Sequence, residues 1–314
     1  MNEQHQKYIK DNFSEISFID EPMEKHSTFG IGGNAKVFIL PQKLSEIKNI
    51  LIYSNKYGIR VVFTGSGSNL LVSDSGFDGI IISLMKTFKK LLFLDDGYIV
   101  VESGVMLGNM VKEAIKRNIA GFESLVGVPG TVGGALYMNA GAYGTEISKY
   151  FISARVINKK GEEKTLTKSD VQFFYRKSTF SKDDLLIEAK LEYKKGDIKE
   201  IEKLKKKFSD SRKNNQPLKF RSAGSIFKNP SSDLAAGYLI DNAGLKGIKK
   251  GNAMISEKHA NFIVNLGKAS SNDVLYLIHH IKKEVAKAYK ISLELEIKLI
   301  GFSEDEIKGL EYYA

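Results

Sequence analysis

The amino-acid sequence predicts an α+β protein with at least two layers, and three observations lead there. Short β-branched runs such as VFIL, RVVF and GIIISL recur through the first 195 positions. Amphipathic helical periods lie between several of them. A further set of helices and strands then follows a basic helix near residue 200. With 314 residues the chain exceeds one ordinary domain, so two or three are expected, each able to bury its own core.

The elements follow in chain order. Residues 1–25 read as a helical lead-in and VFIL (37–40) as a strand. Pro41 opens a helix through QKLSEIKNILIYSNKYG, because Leu44, Ile47, Ile50 and Leu51 recur on one side. Gly58 ends it, and RVVF (60–63) and GIIISL (79–84) are strands. LLFL and YIVV are two short strands. They precede a helix from Leu107 to Asn118 that buries Met110, Val111, Ala114 and Ile115. Strands follow near 151–157 and 185–193, the second closed by KKGD. IEKLKKKFSDSRK (201–213) is a basic helix with Ile201, Leu204 and Phe208 on its buried stripe and its lysines in solvent. A further unit from about 214 holds a helix near 233–242, a strand NFIVN, a helix over 272–289 and a final strand, SLELEIKLI. There Leu293, Leu295, Ile297 and Leu299 alternate with Glu294, Glu296 and Lys298, the pattern of a half-buried strand.

Composition narrows the function classes. The chain is 42% hydrophobic and 27% charged, as a soluble globular protein would be, and no apolar run approaches the roughly 20 residues that span a bilayer. MNEQHQKYIKDNF lacks the apolar segment of a signal peptide, so we expect a cytoplasmic protein with no membrane partner. The absence of cysteine removes disulfides, thiolate zinc sites and a cysteine nucleophile, and no metal is expected. The net charge of +10 suggests nucleic acid or an acidic small molecule. Only six of the 47 basic residues are arginine, and the lysines are spread along the chain. Nucleic-acid recognition favours arginine with aromatic platforms on one face, so no nucleic-acid partner is expected.

Glycine concentrates in three places: TFGIGGNA (28–35), TGSGSNLLV (64–72) and GVPGTVGGALYMNAGAYG (127–144). Glycine loses the most backbone freedom on folding, so such stretches are either linkers or places of close approach. A linker would carry Ser, Gln, Glu and Lys rather than Leu136, Met138 and Tyr143. The third stretch therefore reads as a folded wall against a ligand. Gly30, Gly32 and Ala35 match G-x-G-x-x-A, but a strand and a proline follow where a dinucleotide fingerprint needs a helix. GSGSN (65–69) follows a strand, where amides of small residues can form an anion-binding nest. Ser66, Ser68 and Asn69 would add donors for a diphosphate; a tight strand-to-strand turn is the other reading.

HSTFGIGGNA, GSGSNLLVSDSGFDG, GVPGTVGGALYMNAGAYG, FFYRKSTF, QPLKFRSAGSIFKNP, AGYLIDNAGLKG, SEKHANFIVN and LELEIKLIG stand in one order along residues 26–301. In these motifs the chain resembles the UDP-N-acetylenolpyruvoylglucosamine reductase (MurB) family, flavoenzymes of peptidoglycan precursor synthesis. The short interval between FFYRKS and GSIFKNP leaves no room for the tyrosine-bearing insertion of one subtype, so the chain looks like type II. The resemblance implies an FAD-binding domain of the vanillyl-alcohol-oxidase (PCMH) type over 26–197, in two subdomains split near 90–98. A helical lead-in (1–25) precedes it, and an α+β substrate-binding domain (198–314) follows.

It also implies a hydride relay. NADPH, as co-substrate, reduces FAD, and hydride then reaches the enolpyruvyl methylene of UDP-N-acetylglucosamine enolpyruvate to give UDP-N-acetylmuramate. Such addition builds an enolate-like anion that needs a cation or donor where charge develops, and one delivered proton. The family's catalytic arginine falls on Arg176 in YRKS, its proton donor on Ser225 in AGSIFKNP, and its catalytic glutamate on Glu296. Without the resemblance these read as a surface arginine, a loop serine and a solvent-facing acid. By the same resemblance FAD would lie against Gly65, Ser66, Gly67, Ser68, Asn69 and Leu70. In the glycine block it would meet Pro129, Gly130, Thr131, Gly133, Gly134, Asn139, Ala140 and Gly141. Tyr175, Arg212, Lys213, Lys228 and Asn229 are the matching candidates for the sugar nucleotide. A monomer is expected. Val128 and Ser222 depart from the usual isoleucine and proline without removing a functional group. Two rivals remain: another oxidoreductase on the same flavin fold, and a nucleic-acid-binding protein resting on charge alone. The GSIFKNP–LELEI pair separates the first from the reductase.

Overall fold

Several helices of this chain start where polar side chains meet backbone amides left free at the first turn. In the computed structural model, which describes residues 1–308 and 310, the Asn2 side chain accepts from His5 N at the head of α1 (Glu3–Asn12). Glu46 Oε2 accepts from the amides of Gln42 and Lys43 ahead of α2 (Leu44–Lys56). The chain separates into two units, neither continuous in sequence. The first comprises Met1–Ile19, Val37–Ser66 and Gly79–Arg212; the second comprises Asp20–Lys36, Gly67–Asp78 and the chain from Lys213 onward.

The first unit holds two hydrophobic cores. One gathers Ile47, Ile50 and Leu51 of α2 with Ile9, Ile80 and Ile82. Val61–Thr64 pairs in parallel with Ile80–Ser83 there, in a sheet ordered Ser17–Pro22, Asn34–Ile39, Phe77–Ser83, Val61–Thr64. The other core lies on a five-stranded antiparallel sheet. Its order is Glu163–Thr167, Phe151–Ile157, Leu185–Glu192, Tyr98–Glu102, Leu91–Phe93. α3 (Leu107–Lys116) buries Met110, Val111, Ala114 and Ile115 in that core, as its period predicts. The short α4 (Val132–Tyr137) adds Val132 and Leu136, and α5 (Ile198–Asn215) adds Ile201.

The second unit has one core, with Phe29, Leu71, Phe227, Ile240, Leu277, Ile281 and Leu299 in it. α6 (Ala236–Asn242) and α7 (Ser271–Tyr289) accompany a three-stranded sheet of Lys249–Lys250, Ala253–Ile255 and Ile263–Asn265. α7 opens on a capping box: Ser270 Oγ accepts from Asp273 N while Asp273 Oδ2 accepts from Ser270 N. Leu70–Val72 pairs in parallel with Lys298–Ile300.

Besides the unread short strands Leu70–Val72 and Ala253–Ile255, the structure departs from the sequence reading in four places. The lead-in is helical only to Asn12, and Ser17–Pro22 is a strand. A strand at Glu163–Thr167, mostly exposed and charged, goes unread because it lacks apolar alternation. Leu204 is exposed on α5 rather than part of a buried stripe. SLELEIKLI forms a ladder only over Lys298–Ile300. Leu293, Leu295 and Ile297 are nonetheless buried, because a non-ladder segment lies beside them. No described helix is long and apolar enough to cross a membrane.

Candidate active site

In the first unit the glycine block begins by pairing with the end of the Tyr98–Glu102 strand. Leu107 N donates to Gly130 O, Val132 N to Val105 O and Gly133 N to Ser103 O. This seam explains Gly133: a Cβ there would lie 2.7 Å from Ser103 Cβ. Gly141 answers a similar demand, since its Cβ would meet Thr145 O at 2.6 Å. Tyr143 and Gly144 both have positive φ, which makes the tight turn of the small hairpin Gly141–Ala142/Thr145–Glu146. Gly134 differs. It is exposed, and the nearest atom to its Cβ position is Thr131 Oγ1 at 3.7 Å. The Cβ position of Gly144 is open as well, but its positive φ is what the turn requires; Gly134 has no such demand, so there the missing side chain leaves open space alone.

The same block carries Arg176. Phe173–Phe174 and Lys177–Ser178 form a two-residue hairpin with Tyr175–Arg176 at its tip. Arg176 has φ +55°, a left-handed conformation that costs a side-chain-bearing residue about 1–2 kcal/mol. Three bonds hold it there: Asn139 Nδ2 donates to Phe174 O (2.9 Å), Ser178 Oγ to Tyr137 O (2.6 Å) and Arg176 Nη2 to Gly141 O (2.9 Å). The Arg176 guanidinium lies 4.8 Å from the Tyr175 ring centroid. Asn139, fully buried with φ +45°, also donates to Glu146 and accepts from Ser148 N. Sequence reasoning placed Asn139 against FAD; its side chain is engaged within the protein, so only its backbone would be left to meet the cofactor.

Arg212 lies near the end of α5. Its Cδ is 3.0 Å from the Cβ position of Gly127, and its guanidinium is 5.6 Å from the Tyr143 ring centroid. Burial lowers its pKa, the Tyr143 hydroxyl opposes that, and the Arg176 charge lowers it further. Arg212 Nε is buried with no partner. Two guanidiniums close enough to repel, one with an orphaned donor, have the chemistry to hold an anion.

The GSGSN loop links Val61–Thr64 to Leu70–Val72, which belong to different sheets, so it is no hairpin turn. Gly65 lets the backbone pass Thr131, whose Oγ1 would lie 2.5 Å from a Cβ there, and Ser83 Oγ donates to Gly65 O. Ser66 Oγ is buried and unpartnered. Gly67, at φ +67°, runs against His26 O with no room for a Cβ. Asn69 Nδ2 donates to Glu296 O (3.0 Å), and Leu70 is buried in its strand. The orphaned Ser66 hydroxyl and the open face of Gly134 fit an extended dinucleotide lying on backbone.

In the second unit the structure brings Ser225 and Glu296 together. The segment 225–228 is held on one side by 261–262 and on the other by 294–296. Ser225 pairs with Phe262, and Ile226 N donates to Asn261 O. Opposite, Glu296 N donates to Ile226 O (2.8 Å), Phe227 pairs with Leu295, and Lys228 N donates to Glu294 O. Ser225 and Glu296 are both half-buried. Asn261 is the residue sequence reasoning missed. Only 3% exposed, it accepts from Phe227 N (3.0 Å) and donates to Phe227 O (2.8 Å), so its amide acts as a rung beside Ser225. No charge or periodicity marks it; its one signal is a buried polar residue in an apolar run. His259 beside it is lowered in pKa, first by burial.

The remaining candidates have roles inside the second unit. Lys228 ion-pairs with Glu294, Asn229 Oδ1 accepts from Ala236 N at the head of α6, and Lys213 O accepts from Lys258 Nζ.

Comparisons with known proteins establish the family of the chain. The FAD binding domain family matches residues 35–167, and the C-terminal domain of UDP-N-acetylenolpyruvoylglucosamine reductase matches 216–300. The chain is 40% identical over 283 residues to the UDP-N-acetylenolpyruvoylglucosamine reductase of Carboxydothermus hydrogenoformans, covering 90% of this chain and 93% of that protein. It is 42% identical to the enzyme of that name from Caldicellulosiruptor saccharolyticus, covering 91% and 93%. The crystal structure of UDP-N-acetylenolpyruvylglucosamine reductase (MurB) from Thermus caldophilus matches with a TM-score of 0.76 and 33% identity, covering 90% of this chain and 98% of that one. With relatives this similar along nearly its whole length, the chain belongs to the UDP-N-acetylenolpyruvoylglucosamine reductase family, flavoproteins with an FAD-binding domain of the PCMH type and a dedicated C-terminal domain.

Proposed function

We infer that this protein reduces UDP-N-acetylglucosamine enolpyruvate to UDP-N-acetylmuramate through bound FAD, with NADPH as the reductant. The observation that carries the reading is the clamped segment 225–228, which places a hydroxyl and a carboxyl on neighbouring backbone, Glu296 N bonding Ile226 O. Residues 26–197 form the FAD-binding domain in this reading and 198–314 the substrate domain, in a cytoplasmic monomer. FAD, when bound, supplies the hydride chemistry between nicotinamide and substrate.

The chain's own residues do the rest. The Arg176 fork binds the enolpyruvyl carboxylate with two parallel bonds and stabilises the anion that grows as hydride arrives at the methylene carbon. Ser225 Oγ gives its proton to the neighbouring carbon, closing the balance of one hydride and one proton. Glu296, when it carries a proton, donates to the developing oxyanion. Arg212 and Lys213 hold the diphosphate, with Lys228, Asn229 and Tyr175 along the sugar nucleotide. FAD rests on the backbone of 65–70, with Ser66 and Ser68 as donors, and on Pro129, Gly130, Thr131, Gly134, Ala140 and Gly141.

The test separates the half-reactions without air. NADPH should bleach the flavin's visible band, and the enolpyruvyl sugar nucleotide should restore it. Flavin that bleaches but is not restored would overturn the substrate assignment.

A further inference from the structure

Beside Ser225 the pairing of segment 221–226 with segment 261–265 stops one rung early. Arg221 pairs with Asn265 and Ser225 with Phe262. Asn265 N donates to Arg221 O, and the final backbone bond on this side runs from Ile226 N to Asn261 O at 2.9 Å. Before Asn261 the chain turns back, with Phe262 N donating to His259 O. Among the described residues no backbone group therefore meets Phe227 on this side.

The other side cannot serve Phe227 either. Glu296 N donates to Ile226 O and Lys228 N to Glu294 O, with Phe227 opposite Leu295. In an antiparallel pair that pattern turns the N–H and C=O of the middle residue away from the partner. Phe227 is 1% exposed, and buried backbone groups are nearly always paired. The Asn261 carboxamide supplies the missing rung. Its Oδ1 accepts from Phe227 N at 3.0 Å and its Nδ2 donates to Phe227 O at 2.8 Å. A carboxamide offers an acceptor and a donor as a peptide group does, so this side chain does the work of the next backbone residue.

Counting its own carbonyl, Asn261 makes one bond to each of the three peptide groups that follow Ser225: at Ile226 N, Phe227 N and Phe227 O. Asn261 is itself fixed, being 3% exposed with its N–H donating to His259 Nδ1 at 3.3 Å. A hydroxyl is aimed by the backbone that carries it, and a misplacement of about 1 Å can cost a reaction about 10²-fold. The backbone bonds on both sides of Ser225 remain without the carboxamide, so the carboxamide bears on aim more than on folding.

We propose that Asn261 is a positioning residue for proton delivery: its carboxamide completes the rung beside Ser225 and so holds Ser225 Oγ in line with the carbon that takes the proton. This inference rests on the reading of Ser225 as the proton donor.

The test is stopped-flow absorbance of the FAD-loaded protein without air, the two half-reactions run separately. Asn261→Ala slows flavin reoxidation by the enolpyruvyl sugar nucleotide about 10–10²-fold, the scale of a misplaced reacting group, and leaves reduction by NADPH near the parent rate. In Asn261→Ala/Ser225→Ala, reoxidation is no slower than in Ser225→Ala alone, because Asn261 acts only through a hydroxyl that is already gone. Should Asn261→Ala fail to fold, Asn261→Ser, whose hydroxyl can meet one of the two Phe227 groups, is read in the same ways. Reoxidation at the parent rate, equal slowing of both half-reactions, or losses that multiply in the double variant would each remove this role and leave Ser225 as the donor. Parent-rate reoxidation in Ser225→Ala would instead remove the donor reading, and the role of Asn261 with it.

Discussion

The residues proposed for the two halves of the chemistry rest on different kinds of support. Around Arg176 the first unit uses irregular backbone: Asn139, Tyr143 and Arg176 all have positive φ, and side chains bonded to carbonyls hold the turn in place. Around Ser225 and Glu296 the second unit uses extended backbone bonded on both sides, over a core of Ile226, Phe227, Leu293, Leu295 and Ile297. The first arrangement stores strain and depends on a few polar bonds; the second spreads its support over many. Strain of this kind persists only where its surroundings over-determine it.

The largest effect should come from the second unit, though not on stability. Ser225→Ala should slow flavin reoxidation by the sugar nucleotide about 10²–10⁴-fold, the usual weight of a general acid, and leave reduction by NADPH near normal. Equal loss in both half-reactions would make Ser225 a scaffold residue. Arg176→Lys keeps charge but loses the planar fork, so turnover should fall about 10²–10³-fold with FAD retained. Turnover near the parent's would show that charge alone suffices.

Asn139→Ala turns the contrast on stability. It removes the partner of Glu146, Ser148 N and Phe174 O, all part-buried bonds, so thermal denaturation should show a loss of about 1–3 kcal/mol. Asn261→Ala, despite equal burial, should cost less because backbone bonds remain on both sides of Ser225. A larger loss at 261 than at 139 would break the comparison. The glycines divide similarly: Gly133→Val should unfold or weaken the protein by collision with Ser103, while Gly134→Val should fold and purify with little flavin. Full flavin content in Gly134→Val would remove that glycine from the cofactor wall.

The smallest effect is one of pH. Asn261 N donates to His259 Nδ1, which must then be unprotonated. The folded protein holds His259 below its ordinary 6.5, so the unfolded chain takes the proton first. The stability this gives is complete above about 6.5 and is lost as pH falls towards the lowered value. Denaturant titrations from pH 7 to 5 should show that slope, and His259→Gln should flatten it. An identical slope in the variant would mean that other groups set the acid response.

Local pattern was legible wherever local forces decide. α2, α3 and α7 appear where their apolar periods place them, because those periods set what each helix buries. SLELEIKLI shows the limit: alternation read the burial correctly, but burial does not require a ladder, and the neighbouring segment supplies only isolated bridges. Leu204 shows another: it falls on the apolar stripe of α5, yet it is exposed because no neighbouring element covers it there. The catalytic candidates were legible only through long ordered motifs, as Arg176, Ser225 and Glu296 carry no distinguishing local signal. Asn139 carries a local signal besides its place in the motif. A lone asparagine among glycine and alanine does suit a left-handed residue that bonds nearby backbone, and that is its role here.

The parallel pairing of Leu70–Val72 with Lys298–Ile300 has a consequence for how the protein is made. Asn69 and Glu296, joined at its edge, are 227 residues apart. At ribosomal speed the early strand waits roughly 10–50 s for its partner to be synthesised. Throughout that interval it is an unpaired edge, open to association with other chains. A nascent chain that stops before residue 298 keeps that edge for good. Chaperone capture and proteolysis of such truncated products should therefore centre on the segment around residue 70, far from the point of truncation.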